Sequence, residues 1–112
     1  MHRKSLALNE ELGRKEGRAS VYGNLGLIFK ARGDLDQAEA MHRKSLALNE
    51  DLGSKEGMAS QFGNLGQVYK MRSELDQAKA YWREALALFR EIGARPMIER
   101  VQSWLDDVEK DD

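Results

Sequence analysis

His42 and Ser45 stand one helical turn apart, the spacing at which an imidazole can take a proton from a hydroxyl. A hydrolase needs more, namely a carboxylate to orient the imidazole and donors for an oxyanion. No residue of the chain can be given either role. His2 and His42 occupy the same place in a repeated pattern, and Trp82 holds that place one repeat later. A slot that accepts an indole is a packing slot. Ser5 and Ser45 likewise match Ala85, which marks a small-residue slot. No Cys, Asp or Glu lies at ligand spacing from the histidines on one apolar face, so no metal site is assigned. The acidic pairs Glu10/Glu11 and Asp106/Asp107 fall on polar helix surfaces rather than in a cleft. No catalytic residue and no cofactor follow from the sequence, and the chain is read as a non-enzyme.

The elements that hold these residues are set by repetition. Met1 to Glu10 recurs letter for letter as Met41 to Glu50, and the surrounding chain repeats with the same period of 40 residues. A period of that size is the signature of a solenoid, in which stacked units bury faces that one unit cannot bury alone. The copies are closest early: 23 of 32 positions match between 1–32 and 41–72, against 10 of 21 between 33–53 and 73–93.

Gly13, Gly53 and Gly93 fall 40 residues apart, where helices end in a left-handed glycine. Gly33 precedes Asp34, an N-cap with Gln37 three residues on. Ser73 and Glu74 replace Gly33 and Asp34 in the next copy, and a positive φ at position 73 would cost about 1 kcal/mol. Ala19, Tyr22, Leu25, Gly26 and Phe29 form a helical stripe repeated by Ala59, Phe62, Leu65, Gly66 and Tyr69. The spacing predicts helix A over 17–32 and helix B over 34–52, then A′ over 57–72 and B′ over 74–92. Residues 1–12 read as a helix B without its A partner, and 96–110 as a closing helix with Pro96 in its first turn. Its stripe is Met97, Val101, Trp104, Leu105 and Val108.

The fold class is therefore all-α, an α-solenoid of antiparallel helix pairs with a C-terminal capping helix. One domain spans 1–112: helix B of a truncated repeat (1–13), two repeats (14–53 and 54–93), and a capping helix with an acidic tail (94–112). The sequence reads as the C-terminal end of a longer array. Its first helix would expose an apolar face that includes Leu6 and Leu8, so residues 1–12 are expected either to self-associate into homo-oligomers or to fray.

With 18 basic and 19 acidic residues the net charge is −1, which gives no electrostatic footprint for nucleic acid or an anionic membrane. There is no cysteine and no apolar run of membrane-spanning length, and a cytoplasmic location is expected.

Tyr22-x-x-Leu25-Gly26-x-x-Phe29, then Gly33, Ala38, His42 and Ser45, resembles the tetratricopeptide repeat pattern. The second copy, Phe62, Leu65-Gly66, Tyr69, Ala78, Trp82 and Ala85, is closer to it. The period is 40 residues rather than the usual ~34, and the proline that ends helix B is missing. Both departures resemble the longer LGN/Pins-like variant, which shares the strings Gly-Asn-Leu-Gly and Glu-x-Gly. The resemblance implies a right-handed superhelix that binds an extended peptide or partner helix in a concave groove of A helices. It places Ser20, Gly23, Asn24, Leu27, Lys30 and Ala31 on that groove, with Ser60, Gly63, Asn64, Gln67, Lys70 and Met71. Asn24 and Asn64 match a ladder of amides that bonds a peptide main chain, a task suited to a group with both donor and acceptor. Gly23 and Gly63 would leave the surface bare, and Lys30 and Lys70 would meet acidic ligand side chains. A second reading makes the segment a structural cap of a longer array, serving self-assembly without a peptide ligand.

Overall fold

The computed structural model describes residues 2–110, with side chains from residue 9 onward. The slots of His2 and Ser5, the exposure expected of Leu6 and Leu8, and the last two tail residues lie outside these. Among the described residues there are five α-helices and no strand: α1 (His2–Ala31), α2 (Leu35–Leu52), α3 (Lys55–Met71), α4 (Leu75–Ile92) and α5 (Arg95–Lys110). Consecutive helices pack as antiparallel neighbours, α1 with α2 and α3 with α4 most closely, and α2 on α3 joins the two pairs. The result is an all-α solenoid, 59 Å in its longest dimension.

Four of the five boundaries fall within two residues of the sequence reading. Gly53 (φ 68°) and Gly93 (φ 70°) end α2 and α4 in the left-handed conformation, where only glycine avoids a Cβ penalty. Asp34 accepts from the Gln37 amide at 3.2 Å and starts α2. Ser54 accepts from the Gly57 amide at 3.1 Å and starts α3. Gly33 has φ 81°, and Ser73 is forced to φ 63°, as its place in the repeat requires. Glu74 gives α4 no side-chain cap.

The first boundary is corrected. Helix B at 1–12 and helix A at 17–32 do not separate at Gly13; they run on as the single α1. Gly13 does not have a positive φ. The cause is one substitution: Arg14 stands where the second copy has Ser54, so the hydroxyl that caps the following helix is missing. Without a start signal for a new helix, the old one continues.

The core is concentrated in the second repeat and α5. Trp82, Phe89, Leu86 and Tyr69 are buried with Val101, Leu105 and Val108. Trp82 packs directly against Gly66, where any Cβ would strike the indole, and its Nε1 donates to the Gly63 carbonyl at 3.2 Å. The equivalent place in the first repeat pairs His42 with Gly26 in the same way. His42 is fully buried, so the packing slot read from Trp82 is occupied as a packing slot. Ser45, in the adjoining small-residue slot, donates to the Ala19 carbonyl at 2.7 Å and fixes α2 to α1.

Candidate peptide-binding groove

α1 and α3 are the two A helices, and their Leu-Gly pairs fix which face turns outward. Leu65 and Gly66 are buried, and Gly26 is covered by His42, so the positions flanking them are directed to the other side. On α1 this leaves Ser20, Asn24, Leu27 and Ala31 exposed in one stripe. On α3 the matching Ser60, Asn64 and Gln67 are half-buried and Met71 is exposed. The Asn24 amide forms no hydrogen bond to any described residue. Asn64 reaches only Gln61 Oε1, at 3.5 Å, the long limit of a hydrogen bond. Both amides therefore keep donors and acceptors available.

The glycines are placed differently. Gly23 and Gly63 are both buried. A Cβ on Gly23 would come within 3.1 Å of Gln61 Nε2, and one on Gly63 within 3.6 Å of the Trp104 ring. They do not leave the groove bare; Gln61 of α3 lies against Gly23 and Trp104 of α5 against Gly63. Lys70 is exposed, while Lys30 is half-buried and near enough to His42 to disfavour its charge.

Two depressions flank the stripe. One of about 480 Å³ lies between α1 and α3 at the end of α2, with Ser20, Ser60, Asn49 and Gln61 in its wall. The second, of about 240 Å³, lies between α3 and α5 and is lined by Ser60, Asn64, Met97, Arg100 and Trp104. A third wall of the groove is thus α5, a role that its reading as a cap missed. The signal was present in the period. Val101, Leu105 and Val108 follow Gln61, Leu65 and Val68 by 40 residues, and all six are buried. α5 is a third A helix in register, and Trp104 stands where Asn24 and Asn64 stand in the first two.

Polar groups also tie the two repeats together behind the groove. Glu39 accepts from Arg43 Nε (2.8 Å), the Tyr69 hydroxyl (2.8 Å) and Arg72 Nη1 (2.5 Å). Burial alone would raise its pKa, but the bonds from Arg72, Tyr69 and Arg43 outweigh it and bring the carboxyl down to about 2. Arg43 also reaches the Tyr81 hydroxyl at 2.8 Å, and Tyr81 stacks on Tyr69 at 5.3 Å. His42 Nδ1 bonds Gln61 Oε1 at 2.9 Å, while its Nε2 is buried without a partner. Burial, and then Lys30, lower the imidazole pKa against the opposing effect of the Gln61 bond. Among the described residues no three His, Asp or Glu side chains gather at metal-binding distance. The polar cluster is an architectural joint.

Residues 1–51 match one family model described as tetratricopeptide repeat, and residues 58–92 match a second with the same description. The chain belongs to the tetratricopeptide repeat family. No curated protein is significantly similar to it in sequence. Among solved structures, this repeat array resembles the crystal structure of BtubC (BKLC) from P. vanneervenii with a TM-score of 0.61 and 20% identity. The likeness covers 96% of this chain and 54% of that one, so the present array spans about half of the BtubC chain. At this identity the two share a fold. Tetratricopeptide repeats in general mediate protein–protein interactions, and that coarse role applies here.

Proposed function

We propose that this chain is a protein-interaction scaffold that takes an extended peptide or partner helix across the groove formed by α1, α3 and α5. The observation that carries the reading is the pair of amides at equivalent positions, Asn24 exposed and unbonded and Asn64 with one long local bond. Backbone groups of an extended ligand would satisfy both. Ser20, Leu27 and Lys30 with Ser60, Gln67 and Lys70 supply the side-chain contacts, and Arg100 and Trp104 close the far end. Gly23 and Gly63 act indirectly, by letting the helices approach. The scaffold is non-catalytic and cytoplasmic in this reading, and the balanced charge disfavours nucleic acid and membrane surfaces. Among the described residues no helix is long and apolar enough to cross a membrane.

The test is a peptide library screened by fluorescence polarisation against the unaltered chain and an Asn24→Ala/Asn64→Ala variant. Each lost amide–backbone bond is worth about 1 kcal/mol, so a bound peptide should weaken by at least roughly 10-fold. Circular dichroism and the thermal midpoint should be nearly unchanged, because Asn24 makes no internal bond and Asn64 only one, at 3.5 Å. A peptide whose affinity ignores both substitutions would remove the asparagines from the site. The second reading, a structural segment for assembly, is favoured by a separate observation: one face of α1 is uncovered.

A further inference from the structure

Of the A helices α1 and α3, which carry equivalent faces, only α3 has that face covered. On α3 that face is packed by α2: Gln61 is 8% exposed and Val68 0%. The equivalent residues of α1, Val21 and Ile28, are 56% and 46% exposed. Gly57 is filled by the Asn49 side chain, so that any Cβ there would collide with it. Gly17, its equivalent, has nothing within 4 Å. An apolar depression of about 380 Å³ lies there, lined by Arg14, Gly17, Arg18, Val21 and Tyr22. Among the described residues nothing covers this face.

The segment that fits it is in the chain. Residues 1–12 have the sequence of residues 41–52 with one change, Glu11 for Asp51. Residues 42–52 belong to α2, and within them His42 and Asn49 meet Gln61 and Gly57 on the matching face of α3. Residues 2–12 cannot reach their own α1 face, because the uncapped passage through Gly13 and Arg14 carries them straight along the axis. At ~1.5 Å per residue, Asn9 lies about 12 Å along the helix from Gly17. A second copy has no such obstacle.

We propose that two copies of this chain exchange residues 2–12, each laying that segment on the Gly17–Val21 face of the other's α1. The register is fixed by the observed pairing. Asn49 meets Gly57, and subtracting the 40-residue period from both puts Asn9 of one chain against Gly17 of the other. Two antiparallel α1 helices paired this way are related by a twofold axis through residue 13, midway between 9 and 17. Gly13 stands there, and its missing side chain has open space around it. The turn of the α2–α3 hairpin, centred on Gly53, becomes the symmetry axis of a two-chain version of the same hairpin. Such an isologous exchange replaces a turn by a continuous helix, and Arg14 in place of Ser54 is the substitution that removes the turn. This inference goes beyond the groove reading and borders it, since Asn24 lies one turn from Val21 and from Ile28 on α1; its tests read association of two copies and not peptide binding.

Sedimentation of the unaltered chain at roughly 1–100 μM should show a monomer–dimer equilibrium; a monomer throughout overturns the exchange. The chain has no cysteine, so an Asn9→Cys/Gly17→Cys variant reads the pairing directly on oxidation. A dimer held by two interchain disulfides is expected, and an intrachain disulfide or none overturns it. Val21→Asp should raise the dimer dissociation constant at least ~10-fold with helical circular dichroism unchanged, since the side chain is exposed in one copy. A dimer indifferent to Val21→Asp would place the contact elsewhere. Arg14→Ser, which restores the cap, should convert the disulfide of the cysteine variant from interchain to intrachain. An interchain bond that persists there would overturn the role given to residue 14.

Discussion

The first and second repeats are built on one template, yet the second is the better packed and the first has the less strained turn between its two helices. Trp82 fills the slot over Gly66 and satisfies its single polar hydrogen, whereas His42 over Gly26 keeps one buried nitrogen without a partner. In contrast, Gly33 and Asp34 give the first repeat an unstrained turn and a side-chain cap, while Ser73 and Glu74 give the second a positive φ and none. Local chemistry and core packing vary independently in a repeat. Each repeat is therefore stable for a different reason.

Truncation tests the packing half of the contrast most severely. Trp82→Ala should cost about 4 kcal/mol, and His42→Ala about half of that, because the imidazole is smaller and already leaves a polar atom unsatisfied. Chemical denaturation of the two variants measures the difference, and equal losses would mean that the repeats are equally packed.

The joint between the repeats comes next. Glu39→Gln weakens bonds from Arg72, Arg43 and Tyr69 and should cost about 2 kcal/mol in the same assay. The Glu39 carboxyl has its pKa lowered from 4.5 to about 2 on folding, so the unfolded chain binds its proton first as acid is added. Its contribution is present above pH 4.5 and is lost as the pH falls toward 2. The Glu39→Gln variant should show a flatter stability profile across that window.

His42 makes the first repeat sensitive at milder pH. Its folded pKa lies below 6.5, so stability is complete above that pH and declines below it, by up to about 1.4 kcal/mol per unit. His42→Gln should remove this slope, and hydrogen exchange should localise it to α1 and α2 rather than α4. A slope unchanged in the variant would move the titration to another group.

The smallest effects come from the turns. Ser73→Gly should raise stability by about 1 kcal/mol, and Gly33→Ser should lower it by a similar amount. Thermal midpoints that moved together would break the claim that the two turns share a conformation.

Much of this was legible in the sequence because repetition supplies its own control. Two copies in register give the helical stripes, the glycine ends at positions 53 and 93, and the strained Ser73. The buried His42 follows from Trp82 in the same slot. What was not legible depended on differences between copies that change no pattern. Arg14 for Ser54 removes one hydroxyl and erases a helix boundary that Gly13 alone does not enforce. α5 keeps only Leu105 of the stripe that Ala59, Phe62, Leu65, Gly66 and Tyr69 form, and Val101 and Val108 match positions outside that stripe, so its register is masked. The burial of Gly23 and Gly63 depends on where Gln61 and Trp104 reach, which is a tertiary fact.

The joint at Glu39 has a further consequence for how the chain finds its fold. A folding chain contains two identical decamers and a single α3 surface that either could cover, an invitation to mispairing. Asp36 and Glu39 stand just ahead of the second decamer and close on Arg72, at 2.6 and 2.5 Å, from the far end of α3. The decamer is thus not recognised alone: carboxylates outside the repeated stretch help to hold the second copy on α3 through Arg72.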